Sequence, residues 1–179
     1  MTTRIPLVPL EGNPDDVQRL IDNGRNATGG AINVFLAMAN HPGLMRHYMP
    51  FAGKLLNGGK LPARERELLI LRSAHRTDSE YEWVQHVRIG KAAGLTDAEI
   101  TAVQSGPDDE SWSEADALIL RACDEVMTAY RLSDETWAAL ADRFDHQQLI
   151  ELLLLPGKYA ALAAFINTVG VPVEKALLE

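Results

Sequence analysis

The chain has 179 residues, 46% hydrophobic and 23% charged, so it is long enough for one domain with a substantial core and too apolar for a disordered protein. Its 25 acidic residues outnumber 17 basic residues, and no lysine and arginine run offers a phosphate-binding stripe, so we expect no nucleic-acid partner. Because the N-terminus lacks a signal-like apolar segment and no stretch approaches about 20 uninterrupted apolar residues, we expect no membrane association and a cytoplasmic location.

Apolar side chains recur at helical spacing along the whole chain, and proline, glycine and short polar residues separate the segments. The predicted helices cover residues 15–26, 32–39, 42–56, 62–74, 79–93, 96–103, 113–130, 133–143 and 145–169. No segment alternates as a half-buried strand would. We therefore predict an all-α fold in a single domain of residues 1–179, with residues 1–30 as an N-terminal extension that packs on the core.

Several of these helices carry recognisable signals. Thr96-Asp-Ala-Glu99 is a capping box, and Ser113 and Ser133 are suitable N-caps for the helices that follow them. The last predicted helix contains ELLLLPGKYAALAAF, which is apolar nearly all round. Such a helix must be buried inside the domain or at a subunit interface.

The single cysteine, Cys123, excludes an intrachain disulfide and a C-x-x-C dithiol. It lies on the apolar side of a predicted helix, where a free cysteine usually behaves as a small hydrophobic residue. A reactive thiolate needs nearby positive charge, whereas its neighbours Asp124 and Glu125 are both acids. We expect a structural cysteine.

The main candidate site combines acids, a hydroxyl and an imidazole on two neighbouring helices. Ser79, Glu82 and His86 are spaced i, i+3 and i+7, so they share one helical face. Glu67 lies one helix earlier. Side chains of these types can transfer protons when they are brought together. No H-x3-H or H-E-x-x-H pair accompanies them, so we expect neither a metal nor another cofactor.

Three segments carry a resemblance to a known family. They read INVFLAMANHPGLM, ERELLILRSAHRTDSEYEWVQHVRIGKAAGLTDAEI and LLLLPGKYAALAAFINTVGVPVE, and together they cover most of the chain. With them the chain resembles the carboxymuconolactone decarboxylase family, within the alkylhydroperoxidase D-like superfamily. The resemblance implies an alkylhydroperoxidase D-like helical bundle that forms a homotrimer or homohexamer.

The resemblance also bears on chemistry. Peroxidase-like members carry the pattern E-x11-C-x-x-C-x3-H, which begins here at Glu67 and ends at His86. The two cysteine positions hold Ser79 and Glu82 in this chain. A hydroxyl cannot reduce a peroxide and a carboxylate cannot resolve a disulfide. Thiol peroxidase activity is therefore disfavoured, and the chain resembles the cysteine-free decarboxylase members.

This comparison implies catalytic roles for three residues in a carbon–carbon lyase of aromatic compound catabolism. Loss of CO2 from a carboxylated lactone leaves electron density that must be delocalised and protonated, and His86 is the candidate acid. Glu67 or Glu82 is expected to orient its other ring nitrogen or to act as the base. Isomerisation or another proton-dependent step would use the same groups.

Four further residues are expected to bind substrate, and two others are weaker candidates. Arg72 would hold a substrate carboxylate with two hydrogen bonds. The other three would line the pocket: Ser79, Tyr81 and Trp83. His75 lies close to the motif in sequence, and Tyr159 matches a tyrosine common in the last helix of the family, although such a tyrosine is more often a packed ring.

Simpler interpretations of the same residues stay open. Ser79-x-x-Glu82 is also a capping box, which needs no catalytic purpose. Glu67 could be a solvated ion-pair partner of Arg64 or Arg66. In that case the chain would be a non-catalytic binding or scaffold protein of the same fold. A redox protein that uses its one cysteine is a third, disfavoured alternative.

Overall fold

The computed structural model describes residues 3–24 and 32–177, and within these residues every regular element is helical. The α-helices are α1 (Asp15–Asn23), α2 (Asn33–Met38), α3 (Pro42–Asn57), α4 (Ala63–Arg76), α5 (Glu80–Ala92), α6 (Asp97–Ser105), α7 (Glu114–Ala129), α8 (Asp134–Ala141) and α9 (His146–Val169). A short 3₁₀ turn (Lys175–Leu177) follows. The all-α prediction is confirmed. Residues 25–30 of the predicted N-terminal extension lie outside the described part of the chain.

Residue contacts group the chain into two compact units. The first comprises Met1–Asn57 with Phe165–Glu179, and the second comprises Gly58–Ala164. In the first unit α1 and α2 pack against α3, around an apolar cluster of Ile21, Leu36, Ala39 and Met45. The prediction of one domain stays a prediction.

The centre of the second unit is α4, which packs against α5, α6 and α7. Four consecutive side chains of this helix are 0% exposed: Leu68, Leu69, Ile70 and Leu71. A helix at a protein surface buries only one stripe of side chains, so consecutive burial means that α4 is covered on every side along this stretch. A polar side chain on this stretch is therefore enclosed as well.

The predicted caps form at three helix starts. Glu99 N–H donates to Thr96 Oγ1 (3.2 Å) and Thr96 N–H donates to Glu99 Oε2 (2.8 Å), which completes the capping box of α6. The hydroxyls of Ser113 and Ser133 accept from the third residues of α7 and α8. These caps satisfy backbone amides that have no partner inside a helix.

Helix α9 is the long apolar helix that the sequence predicts. Leu152 and Leu155 are buried, whereas Ile150 is 57% exposed and Leu154 is 47% exposed. Among the described residues it is the helix whose length and apolar composition would suffice to cross a membrane, a criterion that the core helix of a soluble protein also meets. Its outer side carries apolar residues that the rest of the described chain leaves exposed.

Candidate active site

A short turn joins α4 to α5 and brings the two halves of the motif together. Asp78 takes the left-handed conformation (φ 49°), which aspartate tolerates better than most residues, and the Ser79 N–H donates to the Ala74 carbonyl (2.9 Å). Glu67 lies in the first half of α4 and His86 at the middle of α5. Their contact shows that the two helices run in opposite directions after this turn.

The centre of the site is a buried carboxylate–imidazole pair. Glu67 Oε2 lies 2.7 Å from His86 Nδ1, and the two residues are 0% and 6% exposed. The second oxygen, Glu67 Oε1, accepts a hydrogen bond of 3.0 Å from Arg66 Nε. An ionised Glu67 can only accept hydrogen bonds, so it pairs with the Nδ1–H tautomer of His86 and leaves Nε2 for proton transfer.

This geometry separates the alternatives for Glu67. The residue does pair with Arg66, as the simpler interpretation expects, but it is fully enclosed and also holds the imidazole. A solvated surface ion pair is therefore the wrong description. Of the two acids offered as the orienting group for His86, Glu67 is the one in contact with Nδ1, while the catalytic role itself stays a prediction.

The second acid, Glu82, is buried without hydrogen-bond partners. It is 3% exposed, and neither of its carboxylate oxygens makes a hydrogen bond. The hydroxyl of Ser79, which is 1% exposed, also lacks a partner. Ser79 occupies the N-cap position of α5 but makes no side-chain cap hydrogen bond, so the capping-box interpretation of this pair is wrong.

Helix α9 adds two residues to this site. The Tyr159 ring meets the His86 ring edge-on, with centroids 5.1 Å apart and an interplanar angle of 89°. The ammonium of Lys158 lies 3.5 Å from the centroid of the Tyr159 ring, a cation–π contact. Sequence reasoning treated Tyr159 as a packed ring and missed Lys158. The available signal was that Lys158 is the one charged residue in the apolar segment LLLLPGKYAALAAF.

Lys158 and Glu82 influence each other's titration. Burial raises the pKa of Glu82 from 4.5 to about 7, although the charge of Lys158 and the nearby Ser79 hydroxyl act in the opposite direction. Burial also lowers the pKa of Lys158 from 10.5 to about 8, against the opposing charge of Glu82. Both groups can therefore exchange protons near neutral pH, as acid–base catalysis requires.

Arg72 has a different place from the one predicted. Its Nε and Nη2 donate to the two carboxylate oxygens of Asp124, both at 2.8 Å. Its Nη1 donates to the carbonyls of Val103 (2.8 Å) and Gln104 (3.1 Å). Because this network occupies the guanidinium, Arg72 ties α4 to α6 and α7 and is not placed to hold a substrate carboxylate.

The remaining predicted contacts are mixed. Tyr81 is buried in the first turn of α5, whereas Trp83 is half-buried and meets the ring of exposed His75 edge-on at 6.3 Å. Their contacts with substrate stay predictions.

Two open surface grooves, lined by residues from α7, α8 and α9, contain none of the site residues. The converging buried polar side chains mark the candidate site, since exposed grooves of this kind gather no such groups.

The family model for the carboxymuconolactone decarboxylase family matches residues 42–123, a segment that contains Glu67, Ser79, Glu82 and His86. Residues 42–123 belong to the carboxymuconolactone decarboxylase family. Lys158 and Tyr159 lie outside the matched segment. No curated protein matches this chain by sequence.

Solved structures share the fold of this chain. An alkylhydroperoxidase AhpD core, a peroxidase-related protein from Ralstonia eutropha JMP134, has a TM-score of 0.85 at 19% identity, covering 99% of this chain and 95% of that one. A peroxidase-related protein from Silicibacter sp. TM1040 has a TM-score of 0.82 at 13% identity, with coverages of 99% and 96%. The debrominase Bmp8, as a cysteine-to-alanine variant in complex with 2,3,4-tribromopyrrole, has a TM-score of 0.78 at 16% identity, with coverages of 99% and 95%.

The family fold does not bring a redox thiol to this site. Cys123 is fully buried, with its sulfur 3.4 Å from Ser73 Oγ. Burial raises the pKa of Cys123 to about 12, against weaker opposing effects that include the Ser73 hydroxyl. The thiol therefore stays protonated at neutral pH, as expected for a structural cysteine. Among the described residues, no group of three or more metal-ligating side chains is gathered.

Proposed function

We propose that this chain is a cofactor-independent acid–base enzyme that acts on a carboxylated lactone or a related small organic acid, in the manner of a decarboxylase. The observation that carries the proposal is the enclosed Glu67–His86 pair, with a 2.7 Å contact at Nδ1. Such a pair fixes the imidazole and directs Nε2 outward from the carboxylate. Membership of the carboxymuconolactone decarboxylase family supports the same class of reaction.

The proposed reaction uses His86 as the proton donor. The bond between the substrate ring and its carboxylate breaks, CO2 leaves, and the electron pair is delocalised into the conjugated lactone. His86 Nε2 then delivers a proton to the ring carbon, and water restores that proton. The Glu67 carboxylate stabilises the imidazolium before this transfer, since opposite charges attract strongly at 2.7 Å in an enclosed site.

A catalytic site explains the burial better than a purely structural one. Enclosing charged and unpartnered polar groups costs folding stability, and a protein with a purely structural role would gain nothing from Glu82 and Ser79 in their present state. A neighbour of the same fold that is a debrominase supports the view that this architecture can act on small cyclic organic molecules. The non-catalytic binding protein stays the second candidate, with His86 and Glu67 as a structural pair.

We also propose that the chain assembles as a homo-oligomer, a trimer or hexamer, in the cytoplasm. Ile150 and Leu154 lie one helical turn apart on the exposed side of α9. Large exposed apolar side chains at this spacing suit a second copy of the same helix.

The decisive experiment follows the reaction in D2O by NMR with the wild type, His86→Gln and Glu67→Gln. The substrates are a panel of carboxylated γ-lactones, unsaturated and saturated. We expect CO2 release with deuterium at the former carboxyl-bearing carbon, and a loss of about 10²- to 10⁴-fold in kcat for His86→Gln. His47→Gln, at an exposed histidine of α3, is the matched control and should retain full activity.

The outcomes separate the two candidates. Isotope uptake without CO2 release would point to isomerisation by the same groups. If a folded wild type neither turns over nor exchanges protons with any member of the panel, or if His86→Gln keeps full activity, the acid–base enzyme is excluded and the binding protein becomes the leading candidate.

A further inference from the structure

The structure contains a second set of converging groups that the Glu67–His86 pair does not use. They are Ser79, Glu82 and Lys158, and we refer to them as the Ser79–Glu82–Lys158 corner. Ser79 and Glu82 stand one helical turn apart on α5, both buried and both without hydrogen-bond partners. Lys158 acts on Glu82 electrostatically from α9 and rests on the Tyr159 ring, which also contacts His86.

We infer that the Ser79–Glu82–Lys158 corner is a carboxylate-binding subsite, in which Glu82 takes up one proton when the ligand's carboxylate binds beside Lys158. This inference rests on the proposed function and names the group by which the substrate is held. It also replaces Arg72, whose guanidinium is committed to Asp124 and to two backbone carbonyls.

The corner offers hydrogen-bond donors together with a positive charge. A protonated Glu82 has one O–H donor, Ser79 has another, and the Lys158 ammonium supplies a positive charge with further donors. An anion with two acceptor oxygens can satisfy these groups together. A cationic ligand would meet the charge of Lys158, and an ionised Glu82 would repel a second carboxylate. The corner therefore accepts an anion only when Glu82 is neutral.

The surrounding charges allow this change of protonation. From α9 the charge acting on Glu82 is Lys158, and from α5 the nearby polar group is Ser79. On α4, the Glu67 carboxylate contacts both the Arg66 guanidinium and the His86 ring. Because the pKa of Glu82 is raised to about 7, a second anion beside Lys158 need raise it only slightly further for the proton to be taken up at neutral pH.

For the reaction, this means that substrate binding protonates Glu82. Glu82 and His86 face the same Lys158–Tyr159 segment of α9 from one side of α5. A bound carboxylate would thus lie between a neutral acid and the imidazole that is proposed to donate. Loss of CO2 would remove the anion and release the Glu82 proton again.

The test measures binding and proton uptake without turnover. The probe is 5-oxotetrahydrofuran-3-carboxylate, a saturated γ-lactone without the double bond that would accept the electrons of a departing CO2. Its methyl ester is the uncharged control. Isothermal titration calorimetry in buffers of different ionisation enthalpy gives both the affinity and the number of protons taken up. The whole 179-residue chain is used throughout, in the assembly state that it adopts in solution.

Four variants assign the effects. Lys158→Gln should weaken binding of the probe acid about tenfold or more and leave binding of the methyl ester unchanged. Lys158→Arg keeps the charge and cannot lose it near neutral pH, so titration of Lys158 no longer contributes to the pH dependence in that background. With a pKa of about 7, affinity in this background should fall about tenfold from pH 6 to pH 8. Adding Glu82→Gln should abolish both this pH dependence and the proton uptake. Glu80→Gln, at an exposed acid of the same turn, should change neither.

Three results would overturn the inference: no binding of the probe to the folded wild type, equal binding of acid and ester, or undiminished proton uptake after Glu82→Gln in the Lys158→Arg background. None of these readouts requires catalysis. Proton-linked binding without turnover of any lactone would keep the subsite and exclude the proposed enzyme. Turnover without proton-linked binding would keep the proposed enzyme and exclude the subsite.

Discussion

Replacing Glu82 by glutamine should make the protein more stable at neutral and alkaline pH. The carboxylate is 3% exposed and neither oxygen has a hydrogen-bond partner. Burial is the main cause that raises its pKa from 4.5 to about 7, opposed by Lys158 and Ser79. Glutamine keeps the size of the side chain and removes the buried charge.

The magnitude follows from proton linkage. A raised pKa means that the folded protein holds this proton more tightly than the unfolded chain, so the associated stability is full below the unfolded pKa and is lost as the pH rises through about 7. The difference between the two pKa values, 4.5 and about 7, corresponds to about 3 kcal/mol. Since glutamine also leaves Lys158 without its neighbouring charge and buries an unpaired amide, we expect a net gain of about 1 to 3 kcal/mol at pH 8. The cost of burying the amide does not vary with pH. The gain in unfolding free energy from Glu82→Gln should therefore be larger by about 2 to 3 kcal/mol at pH 8 than at pH 5.

Urea unfolding of the wild type and of Glu82→Gln at pH 5 and pH 8 measures this effect, at one fixed protein concentration because assembly also adds stability. Glu80→Gln provides the control, since Glu80 is an exposed acid in the same helical turn. The reasoning is refuted if the difference between wild type and variant is the same at both pH values. It is also refuted if the control shows an equal change with pH.

Three further changes test other parts of the structure. Arg72→Met should destabilise the protein by about 3 to 5 kcal/mol in urea unfolding, because it leaves Asp124 with only its longer contact to Arg76 (3.7 Å) and removes the donor from the buried Val103 carbonyl. Cys123→Ala should lower stability by about 1 kcal/mol through a small cavity and leave kcat/KM unchanged, as expected for a buried thiol whose pKa is raised to about 12. Leu154→Lys should shift the protein to smaller oligomers in size-exclusion chromatography with light scattering, because Leu154 and Ile150 form the exposed apolar side of α9.

Each of these expectations has a contrary outcome. A change below about 1 kcal/mol for Arg72→Met would show that the network with Asp124 carries little stability. Loss of activity in a folded Cys123→Ala protein would revive the redox alternative. For α9, Tyr130→Lys is the control, since Tyr130 is 88% exposed at the end of α7. The α9 interface is rejected if Leu154→Lys leaves the oligomer intact, or if Tyr130→Lys dissociates it equally.

Local spacing in the sequence anticipated the core of the candidate site. Glu67 and His86 lie on consecutive helices joined by a short turn, so few conformations are available to the segment between them, and their contact requires only that these two neighbouring helices pack against each other. The capping box of Thr96 and Glu99 was predictable for the same reason. The same pattern at Ser79 and Glu82 predicted a cap that does not form, because burial of both side chains overrides a local hydrogen bond that spacing alone allows.

The sequence by itself determined the all-α class, the helix positions and the juxtaposition of Glu67 with His86, since each depends on contacts within a few helical turns. Only the tertiary structure decided which distant side chains complete or leave the site. Asp124, 52 residues along the chain, binds the Arg72 guanidinium and so keeps it from the site. Helix α9 brings Lys158 and Tyr159 to Glu82 and His86. Such pairings depend on packing between helices and on the burial that follows from it. Burial also sets the pKa values of Glu82 and Lys158, because the cost of removing a charge from water is a property of the folded surroundings.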